Sequence, residues 1–492
     1  MMAERRLSDL GLTPMSGGDV VVSGLALDSR KVERGTLFAA LPGTRVHGGE
    51  FIQYALRMGA GAVLTDRKGA EIAAAELAAS DAALVVVEDA ADALAHAAAL
   101  FFGKQPETMV AVTGTNGKTS VASFTRQIWE ALNLNAVNIG TTGVEGAYEA
   151  PGIHTTPEPV TLHGVLAQMA EAGVTHAAME ASSHGLDQKR MDGVRLAAAA
   201  FTNLTQDHLD YHGSMEAYFE AKLRLFTGLM PEGGVAVVNL DDSYGVRVAE
   251  ACEERAIEVL GVAQYAEAAL KITGRRIDET GQDVLFRWQG EGRQVRLDLI
   301  GGFQAMNVLT AAGLVIAGGE DPDDVFGVLP KMTGVRGRME LAARRSHGAP
   351  IYVDYSHTPD SLEVALKALR PHVLGRLVVV FGAGGDRDTG KRPLMGAAAA
   401  NYADVAFVTD DNPRTEDPAV IRKAVLAGCP EATEVADRAE AILRGVDMLE
   451  PGDALLIAGK GHETGQQVGD VLYPFDDVEQ ASVAVAALEG TI

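Results

Sequence analysis

The chain has 492 residues, 47% hydrophobic and 22% charged, a globular composition that excludes disorder as its main state and predicts about three domains. Its 42 basic and 67 acidic residues give a net charge of −25, which excludes a polyanion-binding surface as its main business, because nucleic acid is held by Lys and Arg neutralising phosphates. The two cysteines, Cys252 and Cys429, are too few for a disulfide framework or a Cys-rich zinc site and suit a reducing compartment.

Residues 1–14 carry charge but no apolar h-region, so a signal peptide is not expected. The longest apolar stretches, such as 93–102, are interrupted, here by His96, or are too short to span a bilayer. The expectation is a cytoplasmic protein with no membrane insertion.

In chain order, the aliphatic and β-branched runs 20–27, 36–41, 62–65 and 83–87 predict strands, and 90–102 predicts a helix ended by Gly103-Lys-Gln-Pro106. The apolar run 109–113 opens a second unit, with further strands expected at 176–179, 196–202 and 235–240. An alternating stretch over 272–300 suggests antiparallel strands at its end. Beyond Gly334-Val-Arg-Gly337, short apolar runs at 351–354, 377–381, 405–409 and 454–458 alternate with helical patterns such as 361–369 and 392–402. That alternation implies βαβ units and a parallel sheet buried on both faces. Domain boundaries are expected near 105 and 336, dividing the chain into 1–105, 106–335 and 336–492.

MVAVT followed by GTNGKTS (109–120) places a buried strand, a glycine loop and a helix in succession. Gly114 and Gly117 let backbone N–H groups turn inward around phosphate oxygens. Lys118 adds a point charge near the terminal phosphates, and the Thr119 or Ser120 hydroxyl can ligate Mg²⁺. The helix N-terminus adds its partial positive charge. The loop is a shortened P-loop, without the first glycine at its usual spacing, and it predicts nucleotide binding.

Glu180, in MEASSHGLDQKR (179–190), falls at the C-terminal end of an expected strand, where open α/β sheets bind ligands and a carboxylate can hold Mg²⁺. There is no GxSxG elbow, so the adjacent Ser and His do not predict a hydrolase. FTNLTQDHLDYHG (201–213) concentrates Asp207, His208, Asp210 and His212, and the two histidines could share a helical face. HExxH is absent, and the residues alone favour a loop of helix caps with a structural histidine. Lys222 reads from its residues as an ordinary solvated helical lysine. DDNPR (410–414) in isolation is a surface turn. GAGGDRD has Arg387 where GxGxxG needs its third glycine, which removes the case for NAD.

Taken together and in order, these strings resemble the Mur ligases, the ATP-dependent amide-forming enzymes of peptidoglycan synthesis, over essentially the whole chain. The resemblance rests on LDSR at 27–30, GTNGKTS, MEASSHGLDQKR, TNLTQDHLDYHG, GGFQAMN at 301–307, GVRGRME at 334–340 and VDYSHTPDSL at 353–362. GGDRDTGKRPLM (384–395), DDNPR and GKGHE (459–463) complete it and resemble the member that adds the third amino acid. It implies an α/β protein of three domains: a small α/β N-terminal domain, a central P-loop ATPase-like domain and a C-terminal Rossmann-like parallel-sheet domain. In chain order these would bind the UDP-sugar, ATP and the incoming amino acid.

The implied reaction is ATP-dependent addition of meso-diaminopimelate to UDP-N-acetylmuramoyl-L-alanyl-D-glutamate through an acyl phosphate, by a monomer using two Mg²⁺ ions. The same ligase acting on L-lysine or another diamino acid, a folylpolyglutamate-synthase-like ligase, and an ATP-driven switch that makes no bond are the alternatives.

Residue by residue, the resemblance implies ATP contacts at Gly114, Thr115, Asn116, Gly117, Lys118, Thr119, Ser120, Asn307, Arg338 and Asp354. It makes Lys222 a CO₂-carbamylated lysine that holds the second Mg²⁺ with His208, beside a first ion at Thr119 or Ser120 and Glu180. UDP-sugar contacts fall on Leu27, Ser29, Thr44, Arg45 and Val46, and on His154, Thr155, Thr156, Ser182, Gln188 and Arg190. His154 stands where the family has asparagine. Amino-acid contacts fall on Arg387, Asp411, Asn412, Pro413, Arg414, Gly459 and Glu463, with Arg414 expected to be buried and to fork onto the carboxylate that lysine lacks.

Overall fold

A computed structural model describes residues 4–43, 46–152 and 154–491. Its elements fall around three mainly parallel sheets. In the first, Gly24–Ala26, Thr36–Ala40, Ala62–Thr65 and Ala83–Val86 lie side by side in chain order, all parallel. The run expected as one strand over 20–27 is divided instead. Val21–Val22 pairs antiparallel with Arg5–Arg6, and Gly24–Ala26 joins the parallel sheet. Between them Ser23 donates its N–H to the Gly35 carbonyl and its hydroxyl to the Arg34 carbonyl, which turns the chain.

Helix Ala90–Phe102 starts where the Asp89 carboxylate accepts the Asp92 N–H (3.0 Å) and stops at Gly103, whose φ of 74° a side chain would resist. Leu94, Ala97 and Phe101 bury one face on the first sheet. The opposite face meets helix Pro159–Glu171 of the next unit. Packing there is close enough that a Cβ on Gly193 would stand 2.6 Å from the Ala99 Cβ.

The second sheet is built on Thr108–Thr113. This strand lies between His176–Glu180 and Leu196–Phe201, parallel to both. Ala136–Gly140 lies beyond the former, and Val235–Asn239 then Glu258–Ala263 beyond the latter, again parallel. The chain leaves Thr108–Thr113 in one direction and later continues in the other, which makes it the topological switch point. Ligand crevices of α/β sheets open at the C-terminal ends of such strands. The 272–300 stretch forms the antiparallel meander Leu270–Asp278, Gly281–Trp288 and Glu291–Leu297 and extends the same sheet. Ala136–Gly140 and Glu258–Ala263 escaped the sequence reading because Asn138 and Gly261 interrupt short apolar runs; Asn138 is buried and accepts from Arg126 Nε at 2.6 Å.

The third sheet runs Glu340–Arg344, Pro350–Asp354, Ala454–Ala458, Leu377–Phe381, Val405–Val408, Thr433–Glu434. All pairings are parallel except the first. Its continuous apolar strands are covered by helices on both faces, as all-buried parallel strands require. Among the described residues no helix is long and apolar enough to cross a membrane.

One ion pair ties the last helix, Asp477–Leu488, to the strand Ala454–Ala458 that leads into Gly459. Arg438 donates to both Asp477 oxygens at 2.8 and 2.7 Å and to the Ala458 carbonyl at 3.0 Å, with the two side chains 1% and 0% exposed. Removing one partner leaves a charge stranded in the interior. Asp477→Ala should therefore lower stability by about 3–5 kcal/mol, read as an earlier urea unfolding transition by circular dichroism.

Candidate active site

The loop after Thr108–Thr113 turns through Gly114 (φ 146°) and Gly117 (φ 89°), both in the region that favours glycine. A Cβ on Gly114 would collide with the Thr202 hydroxyl, and one on Gly117 would stand 2.8 Å from Asn307 Oδ1. The neighbouring TNLT segment braces this turn. The Thr115 N–H donates to the Asn203 carbonyl (2.8 Å), the Asn116 N–H to Asn203 Oδ1 (2.9 Å), and the Thr202 hydroxyl to the Asn116 carbonyl (2.6 Å). Lys118 opens helix Lys118–Ala131 and folds back, its Nζ donating to the carbonyls of Gly114 (2.9 Å) and Thr115 (2.8 Å). Burial pushes this ammonium down from its ordinary value, against the pull of Glu180 and Asp207.

Glu180 ends strand His176–Glu180 and is buried. Its carboxylate accepts from the Thr119 hydroxyl at 3.1 Å and from the Thr141 N–H at 2.9 Å. Arg338, from the segment entering the third sheet, donates Nη2 to the same Thr119 hydroxyl at 3.0 Å. Ser120 is buried and takes no part in this contact. Asp354, at the end of strand Pro350–Asp354, accepts the Met339 N–H at 2.7 Å, and burial raises its carboxyl. The hydroxyl of Thr119, the carboxylate of Glu180 and the inward-turned glycine loop form an oxygen-rich cradle that fits a hard divalent cation beside phosphate.

Lys222 is not the solvated lysine that its helical context suggested. It is 1% exposed, donates Nζ to the Gly114 carbonyl at 2.7 Å, and lies 4.6 Å from the centre of the Tyr218 ring. Burial drives its amine well below the ordinary lysine value, and neighbouring Lys118 adds to the effect while Asp207 opposes it. Its helix, Met215–Arg224, passes directly into a π-helical turn at Leu225–Leu229.

His208 and His212 do not share a helix face as a spaced pair. His208 caps a one-turn helix, Leu209–His212, from the left-handed region (φ 53°). The His184 ring stands 4.9 Å from His208 and 5.5 Å from His212, centre to centre. Burial pushes the His208 imidazole down to about 4 although Asp207 pulls the other way, so it is neutral at pH 7 and able to donate a lone pair to a metal. His184, Tyr211 and Tyr218 were missed by the sequence reading, since single aromatic residues carry no spacing signal.

In the first unit, a cavity of about 940 Å³ is lined by Leu27, Ser29 and Val46, together with Asp28, Arg30, Tyr54 and Arg57. Asp28 grips Arg30 through its backbone N–H and guanidinium, which pulls the carboxyl down to about 2. Thr44 and Arg45 lie outside the described residues. The second predicted group runs straight into Glu180. The Thr155 hydroxyl pairs with Thr141 at 3.0 Å, and the Thr156 hydroxyl donates to the Glu180 carbonyl at 2.9 Å and pairs with Ser182 at 3.0 Å. Arg190 donates to the Thr156 carbonyl at 2.8 Å and to Gln188 Oε1 at 2.7 Å. His154 is exposed in the turn before them.

A second cavity, of about 840 Å³, joins the second and third units. Asp207 and His208 line one wall. Arg387, Asp411, Asn412, Arg414, Gly459 and Glu463 line the other, with Tyr355, His357 and Lys391 between them. Arg414 is half-buried, not buried as expected, because the DNPR loop runs along the rim of this cleft. Its Nη1 donates to the Gly385 carbonyl at 2.8 Å, while Nε and Nη2 have no partner among the described residues.

Pro413 is buried behind the lining. Asn412 donates to Glu463 at 2.8 Å and accepts from Lys460 at 3.0 Å. Lys460 is completely buried between Asp411 (3.5 Å) and Glu463 (3.8 Å), a cation that the sequence reading did not single out. Burial, reinforced by Asp411, raises the Glu463 carboxyl.

The chain matches three family descriptions in succession. These are the Mur ligase family, catalytic domain (residues 21–102), the Mur ligase middle domain (112–315) and the Mur ligase, glutamate ligase domain (337–461). The chain belongs to the Mur ligase family. Among its Mur ligase relatives, the UDP-N-acetylmuramoyl-L-alanyl-D-glutamate–2,6-diaminopimelate ligase of Caulobacter vibrioides is 50% identical, covering 99% of each chain. The ligase of the same name from Brucella melitensis is 48% identical over 97% of this chain and 96% of its own. A solved structure of a ligase with that name superposes with a TM-score of 0.68 at 34% identity, covering 95% of both chains.

The glycine loop yields a direct test. Gly117→Ala adds a methyl where φ is 89° and the Asn307 side chain is already close. The strain of about 1–3 kcal/mol should weaken ADP binding about tenfold or more, as measured by calorimetry.

Proposed function

We infer that this Mur ligase adds meso-diaminopimelate to UDP-N-acetylmuramoyl-L-alanyl-D-glutamate, driven by ATP and through an acyl phosphate. The observation that carries the reading is the second cavity. It runs from Asp207 and His208, beside the phosphate loop, to Arg387, Arg414, Asp411 and Glu463, so the activated acid and a zwitterionic amine can meet in one cleft. The near-full-length relatives of that name support the same choice. The functional divisions we propose are 1–105 for the UDP-sugar, 106–335 for ATP and 336–492 for the amino acid.

A carboxylate does not accept an amine directly, because oxide is too poor a leaving group. Its oxygen instead attacks the γ-phosphorus of ATP, the bond to the β-phosphate oxygen breaks, and ADP departs. The amine nitrogen then attacks the acyl carbon, loses a proton, and expels inorganic phosphate as the amide forms. Lys118 and Arg338 supply fixed positive charge along the transferring phosphoryl group, and the loop N–H groups hold the phosphates in line. Closure of the third domain over the loop, with Arg338 already on Thr119, keeps water from the acyl phosphate.

Thr119 and Glu180 are the residues that would hold one Mg²⁺, and His208 with a carbamylated Lys222 a second; bound there, the ions neutralise triphosphate charge. The depressed Lys222 amine supports the carbamate, because only a neutral amine adds to CO₂, losing a proton to leave an anionic oxygen ligand. At the far end of the cleft, the free donors of Arg414 suit the carboxylate that distinguishes diaminopimelate from lysine. Asp411 and Glu463 suit its ammonium.

Incubation with ATP, Mg²⁺, the UDP-muramoyl dipeptide and a panel of diamino acids should yield, by mass spectrometry, the diaminopimelate adduct in preference to the lysine adduct. ADP without a heavier peptide product overturns the reading. Lys222→Ala should abolish ligation, and bicarbonate should not restore it; near-normal turnover removes the second-ion argument. Arg414→Ala should raise the diaminopimelate KM while ADP affinity measured by calorimetry is retained.

A further inference from the structure

Arg387 and Arg414 sit on separate loops that follow different strands, yet both approach one glycine. A Cβ on Gly384 would stand 3.0 Å from Arg414 Nη1 and 3.9 Å from Arg387 Cγ. Both residues are cationic, so bringing their loops together has to be offset by contacts within the fold. The backbone alone does not favour the arrangement, because Asp386 (φ 54°) and Arg414 (φ 51°) are both left-handed without being glycine.

The connection is a short chain of hydrogen bonds immediately behind the two arginines. Asp386 accepts the Thr415 hydroxyl at 2.7 Å and the Thr415 N–H at 3.2 Å. Glu416 returns the bond, accepting the Asp386 N–H on Oε1 at 2.6 Å. The same oxygen is anchored by Arg392 Nη2 at 2.7 Å, and Arg392 is itself buried, also donating to the Gly384 carbonyl at 3.3 Å. Each loop thus holds the residue beside the other loop's arginine. Thr415 holds the Asp386 carboxyl below the usual range, and Arg414 and Arg387 add to the effect.

Resting on the diaminopimelate reading above, we propose that Asp386, Thr415 and Glu416, anchored on Arg392, are positioning residues that set the spacing of Arg387 and Arg414 and thereby the preference for an amino acid whose distal end carries a carboxylate. None of the four needs to touch substrate. They act by fixing the loop that carries Arg414 against the loop that carries Arg387, and so the placement of the guanidinium that meets the carboxylate L-lysine lacks. Loosening that connection therefore penalises the diacid and leaves lysine nearly unaffected, whereas general damage to the domain would penalise both.

The test compares wild type with Asp386→Asn, which tolerates the left-handed backbone, and with Thr415→Val and Thr415→Ser. Steady-state phosphate release is measured with varied meso-diaminopimelate, L-lysine, ATP and UDP-muramoyl dipeptide. Asp386→Asn and Thr415→Val should raise the diaminopimelate KM about tenfold or more, since a misplacement of one ångström carries penalties of that order. The KM values for ATP and dipeptide should hold, selectivity over lysine should fall by the same factor, and Thr415→Ser should retain wild-type selectivity. An unchanged selectivity ratio, or equal losses for both amino acids, overturns the proposal even where thermal stability drops. A wild type that fails to prefer diaminopimelate instead overturns the functional reading, and the proposal with it.

Discussion

Two lysine amines share a single acceptor in this protein. Lys118 and Lys222 both donate to the Gly114 carbonyl, at 2.9 and 2.7 Å, inside a pocket largely closed to water. Like charges at such a separation cannot both be sustained without counter-ions, and burial weights the balance further against the ammonium form. Burial, with Lys118 alongside, lowers the Lys222 amine well below its ordinary value. The neutral histidine beside them, His208, is explained by the same shortage of solvent.

This crowding orders the rest of the site. Triphosphate oxygens entering the glycine loop would add to the negative charge that Glu180 and Asp207 already set against Lys118. A carbamate on Lys222 would turn the second cation into an anion and reverse the local balance in favour of metal ions. Glu180 is already committed on the other side of the loop, with Thr119 and Thr141 on its oxygens. Arg338 on the Thr119 hydroxyl and Asn116 on Asp360 (3.3 Å) connect the phosphate loop to the third unit. The phosphate loop and the third unit are therefore mechanically linked.

The contrast between the two junctions follows from composition. Helix Ala90–Phe102 meets the second unit through small apolar residues at close range, around Gly193 and Ala99, and packs as an interior does. The junction with the third unit is a cleft of about 840 Å³ lined by His, Asp, Lys and Arg. A polar cleft tolerates changes in separation that an interdigitated apolar contact does not.

Strands such as Ala62–Thr65 and Leu377–Phe381 and helix Ala90–Phe102 were legible because an apolar run bounded by turn residues has few other stable outcomes. The glycine loop was legible for the same local reason, since its backbone needs glycine at fixed positions. Local pattern could not reveal the burial of Lys222, whose surroundings come from a loop 108 residues away in the chain. Nor could it reveal the histidine cluster around His184, the buried cation Lys460, or the hydrogen bonds that pair Asp386 with Thr415. Sequence alone determined most of the elements, the phosphate loop and the family, because those depend on neighbours along the chain. Tertiary structure decided which ionisable groups are buried and which loops converge, because burial and proximity depend on neighbours in space.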